Sequence, residues 1–111
     1  MDARLPAHLE VSGMIRMAQA EGGFATVLHK GEREAGTLIL LTIERNENAM
    51  VWERMPQLDG SRPFHVAKRE NTEKPQEISE YLQRRQSQDP DIWVLELDIA
   101  DAERFVASLP Y

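Results

Sequence analysis

Gly-Thr-Leu-Ile-Leu-Leu-Thr-Ile-Glu-Arg-Asn-Glu-Asn-Ala-Met-Val-Trp-Glu-Arg-Met-Pro, residues 36–56, is the stretch that decides the fold of this chain. Residues 37–43 are β-branched or apolar at almost every position, which predicts a strand. The polar turn Asn46-Glu47-Asn48 follows, since asparagine tolerates left-handed backbone, and a second strand is predicted over residues 49–55. The stretch is therefore a β-hairpin around which the rest of the chain packs.

The first strand of this hairpin is apolar on both faces. Ile39, Leu41 and Ile43 lie on one face, and they alternate with Leu38 and Leu40 on the other. A strand of this kind belongs in the middle of a sheet with cover on each side. We therefore expect a core that contains Ile39, Leu41, Ile43, Leu95 and Leu97.

Length and composition predict one globular domain over residues 1–111. The chain is 41% hydrophobic and 29% charged, and it is long enough to bury one core. The absence of cysteine excludes a disulfide scaffold, a thiolate metal site and a cysteine nucleophile. No stretch approaches the ~18 apolar residues of a membrane span, and the first residues lack the apolar core of a signal sequence. A cytoplasmic protein without membrane contact is the prediction.

The remaining elements follow from periodicity and turn residues. Apolar residues at helical spacing predict a helix over residues 7–20, ended by Gly22-Gly23. Asp89-Pro90 ends a second predicted helix, and Asp101 is a candidate N-cap for a short third one. The other predicted elements are strands over residues 24–29, 64–69 and 92–99 and the second helix over residues 76–88.

The order α-β-β-β-β-α-β-α predicts an α+β fold with a mainly antiparallel five-stranded sheet and helices packed on it. The first four strands are expected to form a meander. The fifth strand can pair antiparallel with the first or parallel with the fourth. We prefer the first arrangement, with strand order 5-1-2-3-4.

Counting the layers predicts self-association. The first helix and one other can cover one face of the sheet well, which leaves the opposite face thinly covered. A large exposed apolar patch generally marks an interface, so a homodimer through this face or an edge strand is predicted. The residues expected in that patch are Leu38, Leu40, Val51 and Val94.

The motif Asp89-Pro90-Asp91-Ile92-Trp93-Val94, after an N-terminal amphipathic helix and a central hairpin, resembles the domain of unknown function 1491 family. The resemblance covers nearly the whole chain and implies a short bacterial protein of one domain. It implies no activity, cofactor or binding residue.

The chemical inventory predicts no catalytic residue, no metal site and no cofactor. His8, His29 and His65 are scattered, while zinc needs three or four ligands together. The carboxylates around the last strand are better explained as turn and cap residues, because more than 20 Å of extended strand separates Asp91 from Asp98.

One patch combines aromatic and cationic side chains on two neighbouring strands. Such a set can hold an anionic or π-bearing ligand or a partner protein. The structural alternative is that Trp52 belongs to the core and the bases keep an edge strand from pairing with other chains. The candidate binding residues are Trp52, Arg54, His65, Lys68 and Arg69.

Three classes of function stay open. A non-catalytic interaction or regulatory module with an unknown protein partner fits best, since a catalytic constellation is lacking. A small enzyme would have to use His65 or a carboxylate. A third class is an RNA-contacting sheet with Trp52 and Phe64 as stacking residues, but the net charge of −6 argues against nucleic acid as a partner.

Overall fold

The computed structural model describes residues 4–110 and confirms the α+β class. Within these residues three helices pack on a sheet of five strands, and most element bounds lie within one or two residues of the predicted ones. The elements are α1 Ala7–Ala20, β1 Phe24–His29, β2 Leu38–Glu44, β3 Glu47–Arg54, β4 Phe64–Arg69, α2 Glu77–Gln88, β5 Trp93–Asp98 and α3 Ala102–Ala107.

The sheet is mixed, and its order is β1-β5-β2-β3-β4. The predicted antiparallel pairing of β5 with β1 is confirmed, but the predicted order 5-1-2-3-4 is wrong. β5 inserts between β1 and β2 and runs parallel to β2, so β1 and β2 do not form the expected meander. The physical reason is burial: β5 carries Trp93, Leu95 and Leu97 on one face and Val94 on the other, and all four are buried in this central position.

The central hairpin turns one residue earlier than predicted. Arg45 and Asn46 both have positive φ, at 52° and 65°, and β3 begins at Glu47. A two-residue turn with left-handed backbone at both positions matches the twist of an antiparallel hairpin. The predicted helix stop is confirmed, since Gly22 follows α1 with a φ of 82°.

Each face of the sheet carries its own hydrophobic cluster. The α1 face is covered by α1 and α3, and its cluster includes Leu38, Leu40, Leu95, Leu97 and Phe105. The α2 face is covered by α2, and its buried residues are Ile39, Leu41, Val51, Leu82, Ile92 and Val94. Four of the five predicted core residues are buried, and Ile43 is half-buried.

The predicted apolar patch is absent from the part of the chain that the structure describes. Leu38 and Leu40 are buried under α1 and α3, while Val51 and Val94 are buried under α2. The helix α2 is twelve residues long and has only three apolar residues, yet it covers the middle of the α2 face. Phe24, Val27 and Leu28 on β1 are among the exposed large apolar residues, and Phe24 is 73% exposed.

Candidate binding groove

The predicted binding patch is divided between the two faces of the sheet. In the β3–β4 ladder Trp52 lies opposite Val66 and Glu53 lies opposite His65, with a register shift at Val51 and Trp52. Side chains alternate between faces along a strand. Trp52, Arg54 and Arg69 therefore belong to the α1 face, whereas His65 and Lys68 belong to the α2 face.

Trp52 is a core residue, as the structural alternative held. Its side chain is 6% exposed, and its indole Nε1 donates to the hydroxyl of Thr42 at 2.8 Å. A ring in this position cannot stack on an RNA base, so Trp52 cannot serve as one of the two stacking residues of the RNA alternative.

Arg54 holds α1 against the sheet. Its guanidinium donates to the carboxylate of Glu10 in the first turn of α1, and both side chains are more than nine-tenths buried. The same guanidinium lies over the Phe64 ring at 4.2 Å and donates to the carbonyl of Arg62 at 2.9 Å. Arg62 also approaches Glu10 at 3.8 Å. These contacts give Arg54 a structural role within the chain.

An apolar groove opens between β4 and α3 on the α1 face. Its volume is about 480 Å³, within the range of small-ligand sites. Phe64 and Val66 supply one wall, Val106 and Leu109 the other, and Trp52 borders it from β3. Arg69 and Glu103 are its charged residues.

A second depression of about 410 Å³ continues from the groove, and Arg69 and Glu103 line both. The Arg69 guanidinium donates to Met50 Sδ at 3.1 Å and forms no ion pair with a carboxylate of residues 4–110. The junction of the two depressions therefore offers an accessible cation beside the carboxylate of Glu103.

A polar cluster on the α2 face joins α2 to β3. Glu53 accepts a hydrogen bond from Tyr81 and three from Arg85, the shortest at 2.8 Å. Its neighbour across the ladder is His65, whose Nδ1 is buried without a partner among the described residues. Lys68 forms an ion pair with Glu77 at 3.8 Å.

The pKa values of this cluster are shifted by its own contacts. Burial raises the pKa of Glu53, but hydrogen bonds from Arg85 and Tyr81 and the nearby positive charges outweigh burial and lower it. Burial and the hydrogen bond to Glu53 raise the pKa of Tyr81. The cluster thus keeps Glu53 ionised and Tyr81 neutral, which suits a tie between helix and sheet.

The other candidate groups have local structural roles. Asp89 accepts from the amide of Asp91, Asp98 from that of Arg45, and Asp101 from that of Arg104 in the first turn of α3. The Nδ1 atom of His8 forms a hydrogen bond with the carbonyl of Arg33, and that of His29 with the carbonyl of Ile92. In residues 4–110 no three metal-ligating side chains come together, and no helix is both long and apolar enough to cross a bilayer.

Sequence reasoning missed the contribution of α3 to the groove. The signal was present in Phe105, Val106 and Leu109, whose spacing predicts one apolar side of a short helix. Phe105 is fully buried, while Val106 and Leu109 border the groove. The sequence does not show that α3 packs beside β4, and this packing places Phe105 in the core and the other two residues at the groove.

Comparison with known proteins identifies the family. The family profile described as "Protein of unknown function (DUF1491)" matches residues 5–107. The chain belongs to the DUF1491 family. No curated protein matches it.

Three solved structures share the fold of this DUF1491 member. A crystal structure of a DUF1491 protein from Caulobacter crescentus CB15 is 31% identical, with a TM-score of 0.82 over 96% of this chain and 98% of that one. An NMR structure of a DUF1491 protein from the same organism is 32% identical, with a TM-score of 0.76 over 91% of each chain. The solution structure of protein Atu0922 from A. tumefaciens is 28% identical, with a TM-score of 0.76 over 92% of each chain.

Proposed function

We propose that this protein is a non-catalytic interaction module that binds a short extended segment of a partner protein in the groove between β4 and α3. The observation that carries the proposal is the apolar groove of about 480 Å³ that ends at the accessible Arg69. We further propose that the chain acts as one domain over residues 1–111 in the bacterial cytoplasm.

The shape of the site favours a peptide segment. The groove and the second depression lie in series along α3 and share Arg69 and Glu103, so their occupant is elongated. An apolar side chain fits between Phe64 and Val106, and an acidic side chain fits beside Arg69. A peptide also brings backbone N–H groups that can donate to Glu103, which a simple apolar anion lacks.

The electrostatics of the α2 face argue against an enzyme that uses His65. Glu53 beside it is engaged by Arg85 and Tyr81, and its lowered pKa makes it a weak base. The hydrogen bonds that Glu53 accepts from Tyr81 and Arg85 join β3 to α2, which is a structural role. The interaction module is therefore the function that the described contacts favour.

Site-specific photocrosslinking tests the groove. A photoreactive phenylalanine analogue replaces Ala107, an exposed residue of the groove wall, or in the control Leu58, an exposed loop residue outside it. We expect a discrete adduct from position 107 in cells and none from position 58. The adduct is mapped by mass spectrometry, and the mapped segment is synthesised as a peptide for titration.

The titration supplies the matched control. Arg69→Ala should weaken binding of the mapped peptide by about tenfold or more, since a hydrogen bond to a charged group is worth roughly 1.5–3 kcal/mol. Arg33→Ala, which removes an exposed arginine outside the groove, should leave the affinity unchanged. Equal adducts from both positions, or equal affinities for both variants, would refute the groove as the binding surface.

A further inference from the structure

β1 is an edge strand without charge or proline, and a β-bulge interrupts its pairing with β5 only at its end, between Val27 and His29. It pairs with β5 on one side and with no other strand of residues 4–110. Its sequence Phe-Ala-Thr-Val-Leu-His contains no Asp, Glu, Lys, Arg or Pro. Phe24, Val27 and Leu28 are 73%, 40% and 47% exposed. Edge strands of soluble proteins are usually blunted by charge, proline or bulges, and the four residues 24–27 before the bulge have none of these, so this part of the edge is open to another strand.

The hydrogen bonds of β5 show which backbone groups of β1 face outward. The amides of Trp93 and Ile99 donate to carbonyls of the β2 side, so the odd-numbered residues of β5 point toward β2. Its even-numbered residues, Glu96 and Asp98, then point toward β1. Their ladder partners Thr26 and Phe24 bond inward. The N–H and C=O groups of the alternate residues, Ala25 and Val27, consequently point away from the sheet.

We propose that the protein forms a two-fold dimer in which β1 pairs antiparallel with β1 of a second copy, with Thr26 on the symmetry axis. In this register Ala25 faces Val27 of the second copy, and the symmetry repeats the pair. Each pair exchanges two hydrogen bonds, so all four outward groups of each strand are satisfied. Shifting the register by two residues in either direction pairs fewer of them.

The side chains suit the same register. Phe24 lies opposite Leu28 of the second copy, so the most exposed apolar residue of β1 gains an apolar neighbour. In this register Glu21, which pairs with Arg104 of its own chain at 2.8 Å, lies near Lys30 of the second copy. The absence of carboxylates on β1 matters because two chains of net charge −6 otherwise repel each other. A second copy is therefore the occupant that the edge fits.

This proposal is independent of the groove, because β1 and β4 are opposite edges of the sheet. It replaces the basis of the predicted homodimer, whose expected apolar patch is buried. The interface is a strand edge with Phe24 and Leu28 beside it.

Disulfide trapping tests the register, since the chain has no cysteine of its own. Thr26 and its symmetry mate form a non-hydrogen-bonded pair with a Cα separation of about 4.5 Å, within the range that a disulfide spans. Thr26→Cys should therefore form a disulfide-linked dimer on mild oxidation. Leu28→Cys on the same edge and Thr72→Cys in a loop should stay monomeric, because their symmetry mates are too far away.

Sedimentation equilibrium of the unmodified chain is the second measurement. The mass should rise from 12.7 kDa toward twice that value as the concentration increases. Val27→Pro, which removes an outward-facing N–H and no hydrogen bond within the sheet, should hold the mass at the monomer value with an unchanged circular dichroism spectrum. A constant monomer mass of the unmodified chain, or crosslinking of Leu28→Cys as fast as that of Thr26→Cys, would overturn the proposal.

Discussion

The two faces of the sheet differ in how many helices cover them and in how deeply their ion pairs are buried. The cluster on the α1 face has thirteen buried residues, which α1 and α3 share with the sheet, and its ion pair between Glu10 and Arg54 lies deep inside. The α2 face buries six residues under one helix, and its ion pair between Glu53 and Arg85 is partly exposed. The same chemistry therefore stands in two dielectric environments within one small protein.

The difference separates positions that stabilise the fold from positions that can serve binding. A buried ion pair whose partner is removed leaves an uncompensated charge, whereas water can compensate at an exposed pair. The α1 face thus depends strongly on the Glu10–Arg54 pair. Arg69, at the end of the groove on this face, forms no ion pair with a described residue, so binding a partner there does not break one.

The largest expected effect tests the buried pair. Glu10→Ala leaves the Arg54 guanidinium buried without its carboxylate and should lower the free energy of unfolding by about 3–5 kcal/mol. Glu34→Ala removes an exposed carboxylate that pairs with Arg33 at 3.7 Å and should cost at most about 1 kcal/mol. Urea unfolding of both variants measures the difference. Similar losses for the two would show that Glu10 is hydrated in solution.

A second prediction tests the packing of the α2 face. Leu41 is 7% exposed in the cluster that α2 seals, so Leu41→Ala should cost about 2–5 kcal/mol through lost burial and the cavity left behind. Leu58→Ala, in an exposed loop, should leave stability unchanged. Urea unfolding again measures both. A loss below half a kcal/mol for Leu41→Ala would mean that the thinner face is loosely packed.

The local elements of this fold could be predicted from the sequence because their signals are local. The apolar spacing within α1 and the glycine that ends this helix, Gly22, involve residues close together in the sequence. The same is true of Asp101 and the helix that it caps, α3. The place of β5 could not be predicted, since its apolar pattern fits several positions in the sheet. Its insertion beside β2 depends on burial summed over both faces, which is a tertiary quantity.

The candidate site was only partly predictable for a related reason. The sequence predicts Trp52 and Arg69 on neighbouring strands, and both border the groove. It predicts His65 and Lys68 in the same patch, but they lie on the opposite face of the sheet. Their face depends on the pairing register at Val51 and Trp52, and a shift of one residue reverses the face of every side chain that follows.

The smallest expected effect concerns the pH dependence of the α2 face. The pKa of Glu53 is lowered on folding because hydrogen bonds from Arg85 and Tyr81 and nearby positive charges outweigh the effect of burial. A carboxyl of this kind contributes stability above its unfolded pKa of about 4.3, and that contribution is lost as the pH falls through the lower folded pKa.

Glu53→Gln isolates this contribution, since glutamine keeps the shape and an acceptor for Tyr81 but cannot ionise. The unmodified chain should be more stable than Glu53→Gln at pH 7, and the difference should shrink as the pH falls below about 4. Urea unfolding of both chains across this range measures it, and other titrating groups cancel in the comparison. A difference that stays constant with pH would show that the tie between α2 and β3 depends on shape and neutral hydrogen bonds, so that the charge of Glu53 contributes nothing to the stability of the thinner face.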